Sequence, residues 1–265
     1  MRVFWLTDIH LNFVAAANRD RVLNDLATAK PDVLLISGDI GEATSVRGYL
    51  RRIDELIGVP TYFVLGNHDF YSGSITQVRS EVGKLCLELP RLVYLTDESV
   101  VPLTPGVALI GHDGWADARV GDYERSLVMM NDYRLIAELA GYSKQDRRIK
   151  LQELGDAAAA HIRRWLPRAL ASYPEVVLVT HVPPLREACW YNGQISDDQW
   201  APHFVCQAVG EAILEIMPQH PRRKLTVLCG HTHSRGECQP LANVQILTGA
   251  AVYGQPGVER VFEFS

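Results

Sequence analysis

Thr61-Tyr62-Phe63-Val64-Leu65-Gly66-Asn67-His68-Asp69 decides the reading of this chain. A short apolar run rich in β-branched and aromatic residues reads as a buried strand. It stops at a glycine and gives way to an amide, an imidazole and a carboxylate. A strand that empties into a loop of chemically useful side chains is how α/β sheets present ligands, at the carboxyl ends of their strands.

The same event recurs on both sides of this stretch. Run 3–7 leads into Asp8-Ile9-His10, 33–37 into Gly38-Asp39, 176–180 into His181, and 226–229 into Gly230-His231-Thr232-His233. Singly, most of these are bland, because Asp-x-His and Gly-Asp are common turn and cap chemistry. Gly-Asn-His-Asp is sharper, with four specified residues in a row. Five such blocks in order, each behind a strand, are poorly explained as independent accidents.

Further apolar runs at 92–95, 107–111, 244–247 and 260–264 read as strands, and 18–29, 44–57, 75–87, Lys144–Ser172 and 203–217 as helices. The alternation predicts an α/β chain whose strands are covered on both faces. In Lys144–Ser172 the positions Ile149, Leu151, Leu154, Ala158, Ile162, Trp165 and Leu166 follow helical period, so its basic residues read as a solvated face. Without a repeat, a low-complexity tract or a linker, residues 1–265 read as one domain. Two segments, 115–143 and 186–202, lack periodicity and exceed the usual ~4–6-residue connection. They are expected to wall or cover the site, with Arg119, Arg125, Arg134 and Arg186 offering charge to a phosphate. The plainer reading makes them surface insertions packed on the long helix.

A net charge of −5 and only short, scattered basic runs argue against a nucleic-acid partner. Cysteines 86, 189, 206, 229 and 238 are odd in number and far apart, which suits a reducing compartment. Arg2-Val3-Phe4-Trp5-Leu6 reads as a strand and not a leader, and no apolar run reaches the ~20 residues of a membrane helix. No membrane association and a cytoplasmic location are expected.

Separate strand-end loops can bring Asp8, His10, Asp39, Asn67, His181 and His231 to one point. Carboxylates, an amide oxygen and imidazoles suit manganese, iron or zinc. Asp39, without a histidine of its own nearby, is the natural bridge between two ions ~3.5–4 Å apart.

The order DxH, GD, GNHD, H, GHxH spans residues 8 to 233 and resembles the calcineurin-like metallophosphoesterase superfamily. The resemblance implies an α/β (α+β) fold, a four-layer αββα sandwich with two mixed β-sheets. It implies two divalent or trivalent transition-metal ions, one on Asp8, His10, Asp39 and His233, the other on Asp39, Asn67, His181 and His231. It makes His68 the catalytic residue at the substrate phosphate and leaving group, oriented by Asp69. The implied activity is hydrolysis of a small phosphomonoester or phosphodiester by a hydroxide bridging the ions. Two other readings stay open: a metal-binding interaction scaffold without turnover, against which His68 argues, and a nuclease, against which the charge argues. Beyond the motif, His112 either reaches the substrate or forms a strand-end turn. Trp190, Tyr191, Asn192 and Trp200 either stack on substrate or pack a long loop.

Overall fold

Strand and helix alternate through the first part of the computed structural model, which describes residues 1–264: β1 Arg2–Leu6, α1 Ala16–Thr28, β2 Val33–Ser37, α2 Val46–Ile57, β3 Thr61–Val64, α3 Ile75–Glu88 and β4 Leu92–Tyr94. Next come β5 Val101–Thr104, β6 Val107–His112, the short α4 Asp132–Leu135, the long α5 Lys144–Ser172 and β7 Glu175–Thr180. The chain closes with β8 Trp190–Tyr191, β9 Gln194–Ile195, α6 Ala201–Phe204, α7 Gln207–Ile216, β10 Lys224–Cys229, β11 Gly236–Leu241, β12 Val244–Thr248 and β13 Arg260–Glu263.

One sheet has the order β13-β1-β2-β3-β4, parallel except for β13 at its edge. The other runs β11-β12-β10-β7-β6-β5, parallel at its centre and antiparallel at both edges. Both are mixed, and side-chain alternation along single strands shows how they stack. Val3 and Trp5 of β1 face an inter-sheet layer with Val177, Val179 and Leu228, while Phe4 and Leu6 face α1–α3 through Leu23, Leu50 and Val82. In β7, Val177 and Val179 point to the same middle layer, and Val176 and Leu178 meet Ala158 and Ile162 of α5 and Ile213 of α7. The result is the expected αββα sandwich. Strands apolar on both faces show no alternation in sequence because neither face meets water.

α5 buries Leu151, Ala158, Ile162 and Leu166 but leaves Ile149 53% exposed, so the apolar stripe starts at Leu151, two residues later than periodicity suggests. Edge strands β5 and β11 are absent from the apolar-run reading because they are half exposed and each carries a proline, which edges tolerate. The expected helix 203–217 breaks at Val205-Cys206. There the Val205 carbonyl accepts from Asp117 N at 3.0 Å and Cys206 N donates to Pro183 O at 2.9 Å, tertiary bonds that hold the backbone extended. Among the described residues no helix is long and apolar enough to cross a membrane.

Candidate metal centre

The loops leaving β1, β2 and β3 in one sheet and β7 and β10 in the other carry Asp8, Asp39, Asn67, His181 and His231. All leave the carboxyl ends of parallel strands, so the two sheets deliver their loops to the same end of the sandwich. Among the described residues, Asp8, His10, Asp39, His231 and His233 are non-glycines with positive φ, at 47°, 39°, 54°, 74° and 55°. Left-handed backbone costs such residues about 1–3 kcal/mol each and concentrates at functional sites. The loops are tied to one another to sustain it: Asp8 N donates to Gly38 O at 3.0 Å and His10 N to Asp39 O at 2.9 Å. Gly66 and Gly230 are required for a different reason, close approach. A Cβ on Gly66 would run into the Asp39 carboxylate, and one on Gly230 into Asp8 and Thr7.

Side chains of Asp8, His10, Asp39 and His233 bring one ligand atom each within 4.8 Å of one another. His10 Nε2 lies 3.0 Å from His233 Nε2 and 3.6 Å from Asp39 Oδ2, and His233 Nε2 lies 3.4 Å from Asp8 Oδ1. The other Asp39 oxygen, Oδ1, is 3.5 Å from His181 Nε2. Asp39 therefore faces both halves of the centre, one oxygen to each.

The second half gives the sharper test of whether cations fit. His181 Nδ1 sits 2.8 Å from Ser37 O, and His231 Nε2 3.1 Å from His203 O, so those nitrogens carry the protons. Asn67 turns its amide nitrogen to Asp132 Oδ1 at 2.8 Å and Tyr71 OH at 3.0 Å. What remains is Asn67 Oδ1, His181 Nε2 and His231 Nδ1, mutually 3.0–3.2 Å apart. Three lone pairs converge with no hydrogen left among them. Such a cluster is repulsive as it stands and attractive around a cation, so the residues fit a metal.

Charge tells the same story. Burial lowers His10 to about 3 and His231 to about 4, keeping both imidazoles in the neutral form that binds metals. Burial, then the neighbouring carboxylates Asp8, Asp69 and Asp132, push Asp39 well above the usual range. So much buried negative charge at one point calls for a counter-charge.

His68 stacks on Tyr71 with centroids 4.3 Å apart and meets His10 edge-on at 4.7 Å. It lines a cavity of about 250 Å3 with Asn67, Tyr191, Phe204, His233 and Tyr253. The expected contact from Asp69 is absent. Asp69 accepts from Ile40 N at 2.9 Å, Gly41 N at 2.7 Å and Gly66 N at 2.9 Å, and His68 Nδ1 is left without a partner. A fully buried carboxylate is drawn to backbone N–H groups, and here it clamps the loop carrying Asp39 to the loop carrying Asn67. His68 is positioned instead by Tyr71 and by its own amide, which donates to Asp39 Oδ1 at 2.9 Å.

His112 sits at the end of β6 in a strand-end turn, one of the two readings its sequence allows. Its Nδ1 accepts from Gly114 N at 3.0 Å, its ring lies 5.3 Å from that of His161, and it does not line the cavity. Tyr191 and Trp200 do line it, while Trp190 turns away, its Nε1 donating to Glu187 O at 3.2 Å. Of the arginines offered to phosphate, Arg119 pairs with Asp117 and Asp156, Arg125 with Asp122 and Arg186 with Asp198. Arg134 is exposed and outside the lining.

Four contributors escape sequence reasoning. Asp132 and Tyr71 orient Asn67, the His203 carbonyl orients His231, and Tyr253 lies 4.7 Å from His10 and 4.8 Å from His233 by ring centroids. None carries a local signature, and Asp132 reaches Asn67 from 65 residues away.

A four-layer sandwich with carboxylates, imidazoles and an amide converging at its strand ends defines a class of α/β protein built around a metal centre. The chain belongs to the calcineurin-like phosphoesterase family, whose model it matches over residues 1–235. It is 32% identical over 80 residues to a Bos taurus transmembrane protein with metallophosphoesterase domain, a stretch covering 29% of this chain and 18% of the bovine one. The fold resembles that of the phosphopantetheinyl hydrolase PptH from Mycobacterium tuberculosis, with TM-score 0.69 and 16% identity over 95% of this chain and 89% of that one. It also resembles a dimetal phosphatase from Danio rerio, with TM-score 0.58 and 15% identity over 97% and 89% of the two chains.

Proposed function

We propose that this protein hydrolyses a small phosphomonoester or phosphodiester with two transition-metal ions, manganese, iron or zinc, held at the strand ends. The observation that carries the reading is the convergence of Asn67 Oδ1, His181 Nε2 and His231 Nδ1 with their opposite atoms already committed. One ion would rest on Asp8, His10, Asp39 and His233, the other on Asp39, Asn67, His181 and His231. Bound there, the pair would neutralise phosphate charge and acidify a water.

The chain's own residues do the rest. Asp39 spans the two positions, and the orienting bonds from Ser37, His203 and Asp132 keep lone pairs aimed inward without rearrangement. His68 faces the cavity, where its imidazole is placed to assist the departing ester oxygen. Such assistance is worth about 10²–10⁴-fold. Tyr191, Phe204 and Tyr253 give flat walls to a space of about 250 Å3, which suits a small substrate with a planar or apolar leaving group. Segments 115–143 and 186–202 add to these walls, the first through Met130 and the second through Tyr191 and Trp200. Free thiols at all five cysteines agree with a cytoplasmic setting.

Turnover of nitrophenyl phosphate and bis-nitrophenyl phosphate by manganese-reconstituted protein tests the proposal, with loss of activity in chelator expected. Two ions bound per chain with no turnover of either ester would sink it in favour of a metal-binding scaffold.

A further inference from the structure

A second cavity, of about 420 Å3, lies at the N-terminal end of α5 and is walled by Tyr123, Tyr133, Tyr142, Lys144, Arg147 and His203. None of the metal-ligand candidates lines it. Its volume falls within the ~300–1,000 Å3 of small-molecule sites. Two cations meet here, and the walls include no carboxylate.

Arg147 is only 8% exposed. Its guanidinium lies 4.4 Å from the Tyr133 ring and one NH2 donates to Tyr142 O at 3.0 Å, while the buried Nε has no partner. Lys144 Nζ donates to the carbonyls of Glu124 and Ser126 at 2.8 and 2.7 Å and lies 5.4 Å from the Tyr123 ring. The nearby acids are committed elsewhere: Glu124 to Arg148 at 2.8 Å, Asp122 to Arg125 at 3.8 Å, and Asp146 to the Ser143 hydroxyl at 2.7 Å. Among the described residues neither Lys144 nor Arg147 forms an ion pair. A buried guanidinium without a counter-charge is costly unless something supplies one.

We propose that this cavity binds a small oxyanion, a carboxylate or a phosphate, carried on a flat or apolar body. The head group would sit between Lys144 and Arg147 and accept from Arg147 Nε, and the body would lie against Tyr123 and Tyr133. Leu127 and Met129, 93% and 62% exposed, stand at the rim as apolar cover. The site adjoins the metal centre through one residue. The His203 ring is held between Ser126 Oγ at 2.9 Å and Tyr133 OH at 2.5 Å, and its carbonyl accepts from His231. An occupant touching Tyr133 and His203 therefore lies against the residue whose carbonyl fixes the tautomer of a candidate metal ligand, the route by which it would act on turnover.

4-Iodobenzoate and phenylphosphonate, as carboxylate and phosphonate probes, titrated into manganese-loaded protein test the idea, with benzyl alcohol as the neutral control. The expected result is iodine density in this cavity in soaked crystals, and affinity for at least one probe that falls about tenfold or more in both Arg147→Met and Lys144→Met but persists in Asp39→Asn. The better binder identifies the head group. Binding that disappears in Asp39→Asn and survives in Arg147→Met belongs to the metal centre and overturns the proposal. Equal binding of benzyl alcohol, or no saturable binding of either probe at millimolar concentration, overturns it as well. Lys144 is half-exposed, so its variant keeps the test valid if Arg147→Met fails to fold. The binding arm is independent of the proposed phosphoesterase activity. A change in turnover on adding the probe, lost in Lys144→Met, is the one readout that rests on it.

Discussion

The two oxygens of Asp39 face different imidazoles, His10 at 3.6 Å and His181 at 3.5 Å, which makes this carboxylate the hinge of the centre. Asp39→Asn replaces the carboxylate proposed to bridge the two ions with a neutral amide. It should lower bound metal from two ions to one or fewer per chain, measured by elemental analysis after dialysis, and full occupancy would refute the bridging role. His68 touches the cavity without standing among the converging ligand atoms. His68→Ala should leave metal content intact and lower kcat by about 10²–10⁴-fold, with a smaller loss for nitrophenolate leaving groups. Loss of metal in that variant would place His68 among the ligands. Asp132→Ala leaves the Asn67 amide with Tyr71 as its remaining partner and should weaken binding at the second position by about 10–100-fold. A metal titration matching that of the wild type would reduce Asp132 to a bystander. The seven candidate ligands were legible because each stands directly behind an apolar run. Asp132, Tyr71 and His203 were not, because a residue that orients a ligand needs only to arrive beside it, from anywhere in the chain.

At the scale of elements, the two aperiodic segments turn out to differ. Residues 115–143 are knitted into the centre: Asp132 holds Asn67, and Ser72 N donates to Leu135 O at 2.8 Å. Residues 186–202 present a small hairpin, β8 and β9 joined through Asn192-Gly193 at φ 51° and 79°. Positive φ at both positions is the geometry a two-residue type I′ turn requires, and Asn-Gly is its usual sequence. The Asn-Gly pair carries that signal in the sequence, but strands of two residues have no periodicity to flank it. The two segments should therefore fail differently. Shortening 115–143 across Asp132 should cost metal, whereas Tyr191→Ala should leave metal unchanged and raise KM several-fold for aryl esters more than for alkyl esters. Equal KM values across both ester types would remove Tyr191 from the substrate wall.

For the molecule as a whole, the centre is a store of unfavourable charge. Asp8, Asp39, Asp69 and Asp132 are each buried near one point, and three acceptor atoms face one another beside them. Cations that bind only the folded state add about 2.7 kcal/mol at a hundred times their dissociation constant. With about 2–4 °C per kcal/mol for chains approaching this size, each manganese or zinc ion bound should raise Tm by roughly 5–10 °C over chelated protein. The same reasoning predicts that metal-free Asp39→Asn is more stable than metal-free wild type, because the amide relieves the crowding that metals otherwise offset. Melting curves with and without chelator check both, and an unchanged Tm on metal addition would show that the crowding is relieved within the protein itself.

The sequence by itself determined strands covered on both faces and the polar blocks at their ends, while the four layers and the division of candidate ligands between two ions rest on the family resemblance. Strands apolar on both faces must be sandwiched, and polar blocks at their carboxyl ends must gather where the strands end, whatever the loops do. Only the tertiary structure decided which atom of each ligand faces inward, because that depends on partners such as Ser37 for His181, His203 for His231 and Asp132 for Asn67. It also turned Asp69 from the His68 imidazole to backbone amides, and of the two readings open for His112 it shows the strand-end turn. Local sequence sets what a residue can bond. The long-range return of the chain sets what it meets, and a buried carboxylate or imidazole bonds whichever donor or acceptor the fold brings within about 3 Å.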